Sequence, residues 1–124
     1  MGTIVENKEL AAGKNLLPAC PVETTLQLIG NKWKIYVLRE LLPGARRFGE
    51  LQKSIPSISQ KVLTQNLRAM EADGLVVRNV FAEVPPRVEY HLSELGGTLR
   101  PVIEVLWEWG LQYKKRKAKG SRKR

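Results

Sequence analysis

The stretch RRFGELQKSIPSISQKVLTQNLRAMEADGLV, residues 46–76, decides the fold of this chain. It contains a short segment of helical periodicity, Phe48 to Ser54. The IPSI segment at 55–58 follows, and its proline interrupts the helical pattern. A second segment of helical periodicity runs from Ser59 to about Asp73, and serine is a residue that caps helix N-termini well. The sequence therefore predicts two helices joined by a tight turn.

The longer of these two helices has two chemically different faces. Leu63, Leu67 and Met70 lie on one face, which must bury against a core. The opposite face is free to enter a DNA major groove, where Gln and Arg side chains pair with base edges. The start of the helix can hold a backbone phosphate. The predicted DNA-binding residues of this helix are Ser59, Gln60, Lys61, Thr64, Gln65 and Arg68. The alternative is an ordinary amphipathic helix with a solvated polar face.

The apolar period changes from 3.6 to 2 after Gly74, which predicts β-structure. Val76 to Phe81 and Arg87 to Leu92 are the two predicted strands, and Ala82 to Pro86 is the loop between them. A helix-turn-helix followed at once by a hairpin is the element order of a winged helix. The predicted fold is mainly α with a small β-hairpin wing.

Three arginines lie where a winged helix meets the DNA backbone. Arg87, at the base of the wing, is predicted to reach a phosphate or an adjacent minor groove. Arg46 and Arg47, just before the short helix, are predicted phosphate contacts. The alternatives are an ion pair of Arg87 with Glu83 or Glu89, and simple solvation of Arg46 and Arg47.

Further helices flank this unit on both sides. Two are predicted before it, over Pro21 to Ile29 and over Lys32 to Leu42, and the second is apolar enough to be central. A last helix is predicted over 94–113, with an apolar stripe comprising Leu95, Leu99, Val102, Leu106 and Tyr113. Gly96, Gly97 and Pro101 are expected to bend or loosen its early turns. The expected organisation is an N-terminal arm at 1–19, the winged-helix domain at 20–113 and a flexible basic tail at 114–124.

Composition excludes several classes of protein. One Cys cannot form an intrachain disulfide, and one Cys with one His cannot form a zinc finger. No signal peptide is visible and no apolar run approaches 18 residues, so we expect a protein of the reducing cytosol. No Ser–His–Asp set, metal-ligand set or Gly-rich phosphate loop occurs, so we expect neither an enzyme nor a metal or other cofactor.

The formal net charge of +9 is concentrated in two places. Residues 32–68 carry eight Lys or Arg against two Glu, and residues 114–124 carry eight basic residues and no acidic residue. The first block predicts a surface that faces phosphates. The second can contact phosphates without sequence preference, or serve only as a solubilising end.

Three stretches, in this order, resemble the HxlR-type winged-helix regulators of bacteria and archaea, which are related in architecture to the MarR group. They are CPVETTLQLIGNKWKIYVLREL (20–41), RRFGELQKSIPSISQKVLTQNLRAMEADGLV (46–76) and VPPRVEYHLSELGGTLRPVIEVLWEWG (84–110). The resemblance implies a homodimeric regulator of transcription, nucleoid-associated on a pseudo-palindromic operator. It also implies that the first and last helices, here 21–29 and 94–113, form the dimer interface.

Large aromatic residues mark the last helix. Trp107 and Trp109 suit an interface between subunits, because aromatic residues are enriched at such interfaces. The alternative is that they cap the core of their own domain. The predicted dimer-interface residues are Val22, Leu26, Leu106, Trp107, Trp109 and Tyr113.

Cys20 lies immediately before Pro21, at the start of a predicted helix. The positive end of the helix dipole favours the thiolate there, and the thiolate is the form that reacts with oxidants and electrophiles. Some members of the resembled family use a cysteine in this region as a redox or electrophile sensor. Sensing and simple packing are the two interpretations of Cys20, and a small-molecule effector is a further candidate partner.

Two other functions are compatible with the sequence. One is a non-specific architectural binder of nucleic acid, driven by the basic charge alone. The other is a winged-helix module for protein contacts, in which the polar face of residues 60–68 meets an acidic partner. The first predicts no preference for any DNA sequence, and the second predicts no salt-sensitive DNA binding beyond that of the basic tail.

Overall fold

The computed structural model describes residues 17–123, so the predicted arm at 1–19 lies outside the described residues except for its last three. The chain divides after Gly30 into two compact units. Helix α1, Pro21–Ile29, belongs to the first unit and begins directly after Cys20. Its end is confirmed at Gly30, whose N–H donates to the carbonyl of Leu26 at 2.7 Å.

Helix α2, Lys32–Leu41, forms the centre of the second unit. The Asn31 side chain caps it, because its Oδ1 accepts hydrogen bonds from the backbone N–H groups of Trp33 and Lys34. Val37, Leu38 and Leu41 are buried, as the apolar pattern predicts. Three other helices and one strand of the domain pack around α2.

The predicted helix-turn-helix is confirmed. Helix α3 spans Phe48–Ser54 and helix α4 spans Gln60–Ala72. Ser59 is the N-cap of α4, and its Oγ accepts a hydrogen bond from the N–H of Val62 at 3.1 Å. In the turn, Ser57 adopts a left-handed backbone conformation with φ of 63°. The buried side chains of Ile55 and Ile58 anchor the two ends of the turn in the core.

A three-stranded antiparallel sheet packs beside the two helices. It consists of β1 (Arg46–Arg47), β2 (Val76–Phe81) and β3 (Arg87–Leu92), in the order β1-β3-β2. The hairpin of β2 and β3 is the predicted wing, and its register pairs Val76 with Leu92 and Phe81 with Arg87. Strand β1 was not predicted, because two residues are too short to show a period.

The junction between α4 and the wing is held by close backbone contacts. Gly74 ends α4 with φ of 80°, a conformation that favours glycine. The Ser93 hydroxyl donates to the Gly74 carbonyl at 2.6 Å. A Cβ on Gly96 would lie 2.1 Å from the carbonyl oxygen of Leu75, so only glycine fits there. These contacts hold the end of α4 and the start of β2 against the chain that leaves the end of β3.

The last helical region differs from its prediction. The single helix predicted over 94–113 is wrong: α5 spans Glu94–Gly97 and α6 spans Arg100–Lys123. Pro101 lies in the first turn of α6, where proline is tolerated, so it begins a new helix instead of bending an old one. The Arg100 guanidinium donates to the carbonyl of Leu42, which ties the start of α6 to the end of α2.

Residues 114–123 continue α6, where the sequence predicts a flexible tail. Lys, Arg and Ala favour helices, and no proline follows Pro101. Cationic side chains near a helix C-terminus also interact favourably with its macrodipole. Helix propensity therefore outweighs the charge density from which a flexible end was predicted.

The predicted apolar stripe of the last helix is mostly exposed. Leu95, Leu106 and Tyr113 are about half exposed, at 57%, 50% and 49%, whereas Ile103 of α6 is buried. The interruption between α5 and α6 separates Leu95 from the rest of the stripe. Most large apolar side chains of α6 lie on the surface of the chain.

Candidate nucleic-acid interface

The outer face of α4 carries the polar residues that the sequence analysis assigned to DNA. Gln60, Lys61, Gln65 and Arg68 are exposed, and Thr64 is half-buried beside the sheet. The inner face is packed, since Leu63, Leu67 and Met70 are 0 to 2% exposed. Ser59 uses one lone pair to cap the helix, and its hydroxyl hydrogen can still be donated to a phosphate. The structure thus brings five polar side chains to one accessible helix face.

Asn66 is a polar residue of α4 that the sequence analysis did not single out. It is buried, and its Nδ2 donates to the carbonyl of Val62 at 2.8 Å, one turn earlier. Its position between Leu63 and Met70 on the packed side was readable from the helical spacing. Asn66 therefore lies on the packed side of α4 and not on its exposed face.

Arg46 and Arg47 form β1 and lie directly before α3. The Arg46 guanidinium is 3.9 Å from the Glu40 carboxylate, a long and partly exposed ion pair. Arg47 is exposed, and its backbone N–H donates to the Glu50 carboxylate at 2.8 Å, which starts α3. Because the β1 backbone is paired with β3, the backbone positions of both arginines are fixed at the edge of the sheet. Their contacts with phosphates stay a prediction.

Arg87 forms the ion pairs that were the alternative to a DNA contact. Its guanidinium binds the Glu83 carboxylate at 2.9 Å and also the Glu89 carboxylate. The hydrogen bond that Arg87 donates to the Glu83 carboxylate is the main cause that raises the pKa of Arg87, opposed in part by desolvation. The guanidinium also lies 4.0 Å from the centre of the Phe81 ring. The structure therefore holds Arg87 between two acids and an aromatic ring on the wing itself.

Arg78 of β2 is exposed, and no local sequence pattern indicates its role. It lines a polar cleft between α4 and the sheet, together with Thr64 and Arg68 of the predicted DNA-binding set. A strand arginine beside a reading helix can be found from sequence only when the strand register is known, because register decides which face of the sheet it occupies.

The predicted dimer-interface residues lie on the surface. Val22 and Leu26 of α1 are exposed, as are Leu106, Trp107 and Trp109 of α6. The Trp109 ring stacks on that of Tyr113, with centroids 5.4 Å apart, and the Arg39 guanidinium lies 4.9 Å from the Trp107 ring. The alternative was that both tryptophans cap the domain core. Their side chains are 53 and 66% exposed, so they do not lie in such a position.

Cys20 is exposed at the N-cap position of α1. Its carbonyl accepts the hydrogen bond from the Thr24 N–H that starts the helix, at 3.0 Å. Its side chain makes no capping hydrogen bond. Cys20 therefore does not occupy the half-buried packing position that was the alternative interpretation. Whether the thiol responds to oxidants stays a prediction.

Two general features of residues 17–123 bear on the site. Within that range, no helix is both long and apolar enough to cross a membrane. The same residues contain no group of three or more His, Cys, Asp or Glu side chains that could hold a metal ion.

A helix-turn-helix with a polar outer face, followed by a β-hairpin, defines a winged-helix DNA-binding protein. Residues 28–118 match the model of the HxlR-like helix-turn-helix family. The chain belongs to this family.

Named relatives and solved structures agree. The HTH-type transcriptional regulator YdeP of Bacillus subtilis (strain 168) is 52% identical, and the match covers 78% of this chain and 76% of YdeP. The redox regulator HypR, solved in its oxidised form, is 48% identical with a TM-score of 0.72, covering 75% of this chain and 96% of HypR. A MarR-family regulator from Enterococcus faecalis V583 is 39% identical with a TM-score of 0.71, covering 86 and 99% of the two chains.

The family assignment confirms the winged-helix fold and the function in transcription regulation by DNA binding that the sequence indicated. It concerns a class of DNA-binding regulators of transcription.

The ion pairs of Arg87 yield a testable expectation about the wing. Replacing Glu83 and Glu89 by Gln removes the two carboxylates that neutralise Arg87 and would repel DNA. We expect the double variant to bind a scrambled duplex about threefold to tenfold more tightly, because two like-charge repulsions are lost near the phosphates. Fluorescence anisotropy at low and physiological salt measures this change.

Glu104→Gln is the matched control, because Glu104 lies 4.0 Å from an arginine of α6, outside the wing. The control should leave DNA affinity unchanged. Because the control removes one charge and the wing variant two, a control effect on log affinity half as large as that of the wing variant would show that only net charge matters. No effect in either would show that the wing stays away from DNA.

Proposed function

We propose that this chain acts as a homodimer that reads a pseudo-palindromic operator with the outer face of α4, in the cytoplasm and on the bacterial or archaeal nucleoid. The observation that carries the proposal is the division of α4 into a fully buried apolar side and an exposed side with Gln60, Gln65 and Arg68. In such a dimer the two copies of α4 enter successive major grooves, roughly 34 Å apart. The proposed activity contains no catalytic step.

The exposed side chains of α4 form two groups, which differ in the part of the DNA that they can contact. Gln65 and Arg68 lie in the middle of the exposed face, and we assign them to base edges, since Gln pairs with adenine and Arg with guanine. Ser59, Gln60 and Lys61 lie at the helix start, where backbone N–H groups and the helix dipole favour a phosphate. Thr64 can serve either kind of contact.

The central prediction concerns Gln65 and Arg68. An operator duplex is first enriched from a random library with the wild-type protein, and its scrambled version serves as reference. We expect wild type to prefer the operator by about a thousandfold at physiological salt. Gln65→Ala or Arg68→Ala should each lower this preference by about fivefold to a hundredfold, because a paired base contact is lost. Anisotropy titrations of both duplexes give the ratio.

Three results would contradict parts of this proposal. A library that yields no common sequence would support the non-specific architectural binder. An equal loss of affinity on both duplexes would assign Gln65 and Arg68 to phosphates. An absence of salt-sensitive DNA binding would support the protein-contact module, the remaining alternative from the sequence.

The exposed apolar face of α6 supports the dimer. Leu106, Trp107 and Trp109 are 50, 53 and 66% exposed in one chain. Isolated soluble chains seldom expose contiguous apolar patches of this kind. Trp109 stacks on Tyr113, so the two rings present a rigid, flat surface. On α1, Val22 and Leu26 are exposed at 66 and 59%. We assign these residues, with Leu106 and Trp107, to contacts with a second copy.

Trp109→Ala tests the dimer. We expect the dimer dissociation constant to rise about thirtyfold, since removing a central interface tryptophan costs about 2 kcal/mol or more. Analytical ultracentrifugation over a concentration series measures it. Gln112→Ala, an exposed polar position of the same helix, should leave the constant unchanged. A wild-type protein that sediments as a monomer at all concentrations would disprove the dimer.

A redox or electrophile response through Cys20 is the second part of the proposal. Cys20 is the one cysteine of the chain, and its side chain is exposed at a helix N-terminus. HypR, to which the chain is similar over most of its length, is described as a redox regulator. With one thiol per chain, oxidation to a disulfide must join two chains or add a small thiol.

Diamide tests this response, because it takes two hydrogen atoms from a pair of thiols and leaves a disulfide. We expect treated wild type to form a covalent dimer on a non-reducing gel and to change its operator affinity by about tenfold, a typical coupling between two states. Dithiothreitol should reverse both effects, and Cys20→Ser should show neither. An operator affinity that is the same before and after oxidation would remove Cys20 from regulation.

A further inference from the structure

A polar cleft lies where α4 meets the sheet. Its wall is formed by Thr64, Leu67, Arg68, Glu71, Arg78 and Tyr90. The two arginines come from different elements, α4 and β2, yet both line the same cleft. Within residues 17–123, neither guanidinium lies within 4.0 Å of a carboxylate oxygen, unlike those of Arg46, Arg87 and Arg100.

The strand register explains why Arg78 lies in this cleft. Arg78 pairs with Tyr90, and Tyr90 pairs with Arg46 across the other strand. Directly paired residues share one face of an antiparallel sheet, and so does Val76, two residues before Arg78. Val76 and Tyr90 are buried, so this is the face against which the core and α4 pack. Arg87 lies on the opposite face.

The donors of the cleft suit a phosphate. Arg78 presents a planar fork of N–H groups that matches two phosphate oxygens, and Thr64 adds a hydroxyl group. Arg68 adds positive charge from the α4 side, while its N–H groups stay assigned to a base edge. Two guanidinium groups that share a cleft repel each other, and a bound anion removes that repulsion. One carboxylate, Glu71, lies on the wall and opposes the anion.

We infer that this cleft binds a backbone phosphate of the duplex that α4 reads, and that Arg78 is its anchor on the wing side. The inference rests on the proposed function and extends it, because Arg78 lies outside the residues assigned to DNA from sequence. A phosphate held between α4 and β2 fixes the reading helix along the groove axis. Arg78, rather than the ion-paired Arg87, is then the wing arginine that contacts DNA.

Arg78 and Glu71 allow a test in which two substitutions change the DNA affinity in opposite directions. Replacing Arg78 by Gln removes a cation from the cleft, and replacing Glu71 by Gln removes the opposing anion. If the cleft binds phosphate, the first substitution weakens DNA binding and the second strengthens it. A merely structural role would weaken binding in both, so the sign of the Glu71→Gln effect separates the two roles.

The experiment uses the full chain and the scrambled duplex, titrated by anisotropy over a series of salt concentrations. We expect Arg78→Gln to lower affinity about tenfold and to reduce the slope of log K against log salt by about one per subunit. Glu71→Gln should raise affinity about threefold. Arg78→Lys should keep the slope of wild type. Thermal unfolding midpoints equal to that of wild type show that the variants fold.

The outcomes separate this inference from the proposed function. If wild type binds no duplex, the proposed function fails and the phosphate anchor with it. If wild type binds and Arg78→Gln has the same affinity and slope, only the anchor is wrong. Calorimetric titration with inorganic phosphate tests a free anion as occupant. Saturable binding that Arg78→Gln abolishes, with an unchanged DNA slope, would assign the cleft to a small phosphate and overturn the DNA contact.

Discussion

Burial of one side of α4 fixes which side chains can meet DNA. Leu63, Leu67 and Met70 are packed into the core, and protein interiors are dense enough that the helix cannot turn about its axis without opening a cavity. The hydrogen bond from the Asn66 amide to the Val62 carbonyl satisfies the buried polar group on the same side. The orientation of Gln65 towards solvent is therefore a result of packing on the opposite side.

The wing depends on the same constraint through the junction that follows α4. Gly74 turns the chain sharply, and Gly96 lets the start of α5 approach the Leu75 carbonyl closely. These contacts set where β2 begins, and a strand displaced by one residue would exchange its two faces. Arg78 would then lie on the outer face of the sheet. The position of Arg78 in the cleft beside α4 thus originates in a backbone turn.

Local signals explain what the sequence could predict. Ser59 and Gly74 bound α4 through chemistry confined to one or two residues, and the change of period after Gly74 marks the hairpin without knowledge of the rest. The partner of Arg87 could not be read in this way, because Glu83, Glu89 and a phosphate are all compatible with its sequence position. Strand β1 exists only through pairing with a distant strand. The continuation of α6 to Lys123 could not be expected from charge alone, because helix propensity also acts on these residues.

The hydrogen bond from Arg100 to the Leu42 carbonyl couples the positions of two helices. It joins the start of α6 to the end of α2, and α2 packs directly against α4. A displacement of α6 would break this bond or pull on the end of α2, and the interlocked core would carry the strain to α4. A displacement on the outer surface of α6 would therefore have to cross only one intervening helix to reach α4.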